Sequence, residues 1–237
     1  MGLGVLLVDA AHLLLSQADT LLLGAIRGAR AVALLSVAGG VAAFSMFPMI
    51  AVGATAVPAF ASLWAQGDVV ALERLARRAV RRAFTAQVVL AAAILALAKP
   101  ILSAYGADFD EARLPLLFIL AGQLANTGTG YVGSLMTMTG HQAAVGRTIW
   151  LAAAINVALV VTGARLFGVP GAAAGTALSA LGWNLWLHRL VVRHVGVRVS
   201  FADALFADWP SQPRPRSAAV ASSIMPAARA AASTTRL

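Results

Sequence analysis

Six apolar stretches decide what this chain can become. They run roughly over residues 3–26, 31–64, 83–105, 114–138, 148–168 and 171–193. A helix needs about 20 apolar residues to cross the hydrocarbon core of a bilayer, and each stretch meets or approaches that length. Lipid offers no partner for an exposed backbone N–H or C=O, so a spanning segment must satisfy them as a helix or a closed barrel. The alternation of barrel strands is absent. The expectation is an all-α polytopic membrane protein with about six transmembrane helices.

Composition agrees with that reading. The 237 residues are 60% hydrophobic and 11% charged, against about a quarter charged in soluble domains. The net charge of +9 sits between apolar runs and reads as membrane topology, which argues against a nucleic-acid partner. With no Cys, thiolate chemistry and disulfides are excluded. There is no phosphate loop, HExxH or GxSxG motif, so no enzyme, cofactor or metal site is expected.

The second stretch is too long for a straight span, and Gly39, Gly40, Pro48, Gly53 and Pro58 offer places to bend. The first stretch is expected to be retained rather than cleaved, because no basic residue precedes it and polar residues interrupt it. One set of alternate loops holds nine Arg: Arg74, Arg77, Arg78, Arg81, Arg82, Arg147, Arg189, Arg193 and Arg198. The other set holds five basic residues: Arg27, Arg30, Lys99, Arg113 and Arg165. The bias predicts cytoplasmic N- and C-termini. From about Ser200 the sequence turns rich in Pro, Ser, Ala and Arg. The division expected is a six-helix bundle over 1–198 and a disordered cytoplasmic tail over 199–237, with a short interfacial turn near 201–209.

Polar residues within the apolar segments are the candidate pathway. Asp9, His12, Ser16 and Asp19 fall within about 80° of one helix face. At membrane depth such a stripe belongs against a bundle interior or a wet cavity, able to bind a cation or exchange protons. The plainer alternative places Asp9 and Asp19 near opposite interfaces. In the fourth span Gln123, Asn126, Thr127, Gly130, Ser134 and Thr137 also cluster on one face, as a helix–helix seam or, for Gln123 and Asn126, a substrate lining. Gly171, Gly175, Ser179 and Gly182 form a small-residue packing strip in the last span. Over Gln66–Arg82 an amphipathic helix presents Arg74, Arg77, Arg78, Arg81 and Arg82 to anionic membrane lipids or a lipid-linked phosphate.

Several strings occur in an informative order: QADTLLLG at 17–24, the Pro58 helix followed by GDVVALERLARRAVRR from Gly67, the Gly140-His141 turn, and Asn156 followed by FGVPGAAAGTALS at 167–179. Over about residues 10–195 the chain resembles the second, C-terminal half of polysaccharide-type flippases in the multidrug/oligosaccharidyl-lipid/polysaccharide exporter superfamily. The resemblance implies two six-helix halves that rock to give alternating access, and movement of a lipid-linked oligosaccharide across the inner membrane, commonly driven by an ion gradient. Gln17 and Asp19 fit the polar cavity positions of that family; Asp9 and His12 match no named motif. A single half implies a homodimer, a second six-helix half, or a non-transporting remnant acting as a scaffold. A cation-coupled exporter of small amphiphilic drugs is the alternative within the superfamily.

Overall fold

The computed structural model describes residues 19–140 and 142–205, and among them the regular elements are helical, with no strand. Helix α1 covers 19–27, α2 is Ala29–Ala43, α3 Phe47–Ala65, α4 Val69–Ala96, α5 Ala98–Ser103, α6 Arg113–Thr129, α7 Val132–Met138, α8 Gln142–His194 and α9 Phe201–Leu205. Among the described residues three helical stretches are long and apolar enough to cross a membrane: Ala29–Ala65, Val69–Ala96 and Thr148–His194.

The breaks follow from particular residues. Proline has no N–H and its ring clashes with the carbonyl four residues earlier. Pro48 therefore stands in the first turn of α3, and a 3-10 turn, Phe44–Met46, separates it from α2. Pro100 acts likewise on Ala96, where α4 stops before α5 begins. Gly28 (φ 80°) divides α1 from α2. The fourth expected span, 114–138, is split at Gly130 (φ 88°). A Cβ there would lie 2.6 Å from the Val199 carbonyl oxygen and 2.8 Å from Val80 Cγ2, so positive φ and close approach both demand glycine.

The fifth and sixth spans form a hairpin within α8, folded at Gly168 (φ 67°, ψ −141°) with Pro170 opening the second arm. Its arms meet backbone to backbone. Gly163 and Gly171 face each other's carbonyls too closely for any side chain, and a Cβ on Gly175 would sit 2.7 Å from the Leu159 oxygen. Ser179 bonds the Ala152 carbonyl at 3.4 Å. Three of the four strip residues thus lie in a seam, whereas Gly182 faces open space.

The amphipathic segment expected over Gln66–Arg82 is largely the first half of α4, continuous with the following span. Asp68 caps it by accepting the Ala71 N–H at 2.9 Å, as an N-terminal Asp should. Its apolar side, Leu72, Ala76 and Val80, packs with Phe60, Tyr131 and Leu187 rather than lying free.

Helices α2–α3, α4 and α6–α7 each contribute to two apolar clusters at different heights. One contains Leu34, Val41, Ile94, Leu116 and Leu120; the other contains Phe60, Val80, Tyr131 and Leu135. A third cluster, with Leu23, Ala31, Val160, Ala164 and Ala172, joins α1 and α2 to the hairpin. The two ends of the bundle are distinct. At one, Arg27 donates to the carbonyls of Ala164 and Arg165 at 2.8 and 2.7 Å near the end of the hairpin's first arm, where a cation meets the negative end of the helix dipole. Arg30 reaches Glu111 at the same end. At the other, Arg77 donates to the Arg198 carbonyl at 3.0 Å. This separation matches the alternation of the two sets of basic loops.

Beyond α8 the chain stays docked. Val195, Val197 and Val199 are buried in alternation, and Phe201 stacks on Phe84 with ring centroids 4.2 Å apart. The packed structure therefore passes residue 198 and continues into α9.

Candidate functional site

The register of the hairpin sets Asn156 on the first arm opposite Thr176 on the second. Between them lies Asp19 of α1. Asn156 Nδ2 donates to Asp19 Oδ1 at 2.6 Å, and Thr176 Oγ1 donates to Oδ2 at 2.7 Å. Asn156 is buried and Asp19 half-buried. Both partners are neutral, and among the described residues no basic side chain forms an ion pair with Asp19. A carboxylate at membrane depth with only neutral partners can take up a proton or a small cation. The chemistry available here is reversible charge neutralisation, in a centre that ties α1 to both arms of the hairpin.

A second polar layer lies between the two apolar clusters of α2–α7. Ser45, in the 3-10 turn, donates to Gln123 Oε1. Gln87, fully buried on α4, reaches Ser45 Oγ at 3.5 Å and Met46 Sδ at 3.7 Å, while its Oε1 has no partner among the described residues. Next to it, Asn126 and Thr127 approach Met49 Sδ at 3.7 and 3.2 Å, and the Tyr131 hydroxyl donates to the Met49 carbonyl at 2.8 Å. These groups hold the break between α2 and α3 against α4 and α6. The two polar centres approach each other where α6 meets the hairpin: a Cβ on Gly122 would lie 3.0 Å from Ala177 Cα, beside Gln123 and Thr176 in sequence.

The sequence-derived candidates therefore separate. Asp19 stands in the carboxylate centre; Gln123 and Asn126 belong to the neutral layer, where their side chains make interhelix contacts. Asp9, His12 and Gln17 lie outside the described residues. Arg74, Arg78, Arg81 and Arg82 are exposed along α4. Arg77 is instead drawn in, paired with Glu73 and bonded to Arg198, with its side chain 12% exposed. Among the described residues no group of three or more His, Cys, Asp and Glu could hold a metal ion.

Ser45 and Gln87 were not among the candidates the sequence offered; Asn156 and Thr176 entered only with the residues that carry the family resemblance. Each is an isolated polar residue in an apolar helix, and that isolation is the available signal.

The MatE family model matches residues 5–164. No curated protein and no solved structure matches the chain. The match takes in the helices that carry Asp19 and Asn156 and covers more than half of the sequence: the chain belongs to the MatE family, membrane transporters of the multidrug/oligosaccharidyl-lipid/polysaccharide superfamily rather than enzymes.

Proposed function

We propose that this protein is an ion-coupled transporter that moves a lipid-linked oligosaccharide or polysaccharide precursor across the inner membrane by alternating access. The observation carrying the coupling is Asp19, held by Asn156 and Thr176. Protonation or cation binding there would change the charge shared between α1 and both arms of the hairpin, and so bias the packing of one against the other. The cargo class rests on the resemblance of the ordered strings from 17 to 179 to polysaccharide flippases and on exposed Arg74, Arg78, Arg81 and Arg82, suited to an anionic headgroup. On this reading the six-helix unit is the second half of a transporter and works as a homodimer or with a separate six-helix half. The basic loops face the cytoplasm, as do both termini.

A cation-coupled exporter of small amphiphilic drugs is the second reading. The Asp19 centre favours it equally, because coupling by a carboxylate does not depend on cargo. Full-length protein in proteoliposomes with an imposed proton or sodium gradient separates the two. Gradient-dependent translocation of a labelled lipid-linked sugar, without efflux of a cationic dye, supports the flippase; dye efflux alone supports the drug exporter. Transport unchanged by Asp19→Asn removes Asp19 from the coupling.

A further inference from the structure

A second charged centre lies where the hairpin's last turn meets the docked segment. Ser200 and Asp203 cap α9 reciprocally: Ser200 Oγ donates to Asp203 Oδ2 at 2.6 Å, and the Asp203 N–H donates to Ser200 Oγ at 3.2 Å. With Phe201 stacked on Phe84 and three valines buried, this segment is fixed against the bundle. It borders an open surface cavity of about 320 Å³ lined by the polar residues His188, Arg189, Arg193, Arg198, Ser200 and Asp203 and by Val192.

The lining is strongly cationic for its size. Three guanidinium groups share it with one carboxylate, and among the described residues none of the three forms an ion pair. Arg189 and Arg193 are four residues apart on one helix face, a spacing at which like charges repel. His188 Nε2 is 3.7 Å from Asp203 Oδ2, and among the described residues its buried Nδ1 has no hydrogen-bond partner. Topology accounts for arginines at this end of the bundle, but it does not require them to surround a cavity with an unused imidazole nitrogen in its wall.

We propose that this cavity binds a phosphate group, as a phosphomonoester or a phospholipid headgroup. Guanidinium forks match phosphate oxygens in shape and charge, and Arg193 and Arg198 would grip the anion from the helix end and from the docked segment. A bound phosphate would then bridge α8 to the stretch preceding α9. This site is separate from the Asp19 centre and does not depend on the cargo.

The test uses full-length protein in phosphatidylcholine nanodiscs with two probes. Glycerol 3-phosphate is titrated by calorimetry, and phosphatidic acid incorporated into the discs is counted by native mass spectrometry. The expected result is saturable one-to-one binding of at least one probe, weakened about tenfold or more per guanidinium removed in Arg193→Gln, Arg198→Gln and the double variant. Arg30→Gln, at the opposite end, should bind as the parent does. Binding of both probes assigns a phosphate group irrespective of source; phosphatidic acid alone assigns a lipid headgroup. Thermal unfolding without probe checks the fold of each variant, and either single variant carries the test where the double variant fails to fold. No saturable binding of either probe, or undiminished binding by the folded Gln variants, overturns the proposal.

Discussion

Among the described residues the Asp19 centre presents a carboxylate to neutral partners, whereas the Ser45–Gln87–Gln123 layer is neutral throughout and lies between two apolar clusters. Their surroundings differ as much as their charge. Asp19 is half-buried and joins α1 to the hairpin; Ser45 and Gln87 are fully buried among α2, α3, α4 and α6. Neutral amides that share the Ser45 hydroxyl fix helix positions and have little to exchange with an ion gradient. A carboxylate can change charge by one unit, and at membrane depth that change is large in energy. The Asp19 centre is thus suited to driving conformational change, and the neutral layer to holding helices in place.

The hairpin register underlies the first centre, so the largest effect should come from breaking it. Gly171→Val drives a side chain into the Gly163 carbonyl and should cost about 3 kcal/mol or more, seen as loss of the monodisperse peak in size-exclusion chromatography. Gly182→Val, facing open space on the same arm, should elute as the parent does. Equal behaviour of the two would mean that the backbone contact does not set the register.

Asp19→Asn comes next and sharpens the contrast. The substituted amide can still accept from Asn156 and donate to Thr176, so the unfolding midpoint should hardly move. The response of transport to the imposed gradient should fall at least about tenfold, which corresponds to about 1.4 kcal/mol of lost coupling. Gln123→Leu should do the reverse. It leaves the Ser45 hydroxyl without its acceptor and should destabilise by about 1–3 kcal/mol, measured as a lower unfolding midpoint, with gradient response retained per folded molecule.

Much of the architecture was legible because apolar length and helix breakers are local properties. The hairpin turn at Gly168-Val169-Pro170 and the bends before Pro48 and Pro100 follow from residues whose backbone limits are fixed by covalent structure. The split at Gly130 was less accessible, since its cause is the carbonyl of Val199 arriving from 69 residues further on. Likewise, Asp19 could be recognised as a charged residue in an apolar segment, but its partners lie 137 and 157 residues away and meet it only through the hairpin register. The docked segment did carry a local signal: valine at 195, 197 and 199 alternates with other residues, a period-2 pattern.

The smallest expected effect concerns Gln87, and its sign matters more than its size. The side chain is fully buried, its Nε2 contacts are long at 3.5 and 3.7 Å, and among the described residues Oε1 accepts from no donor that would offset its desolvation. Removing a poorly paired buried amide in favour of an apolar group of similar shape can be neutral or stabilising. Gln87→Leu should therefore raise the unfolding midpoint slightly, equivalent to about 1 kcal/mol or less, while Ser45 keeps Gln123 as its partner. A fall of similar size would show that Gln87 is fully satisfied in the membrane, with an ordered water as the natural donor to Oε1. The neutral layer would then contain a solvated site, and its contrast with the Asp19 centre would narrow to charge alone.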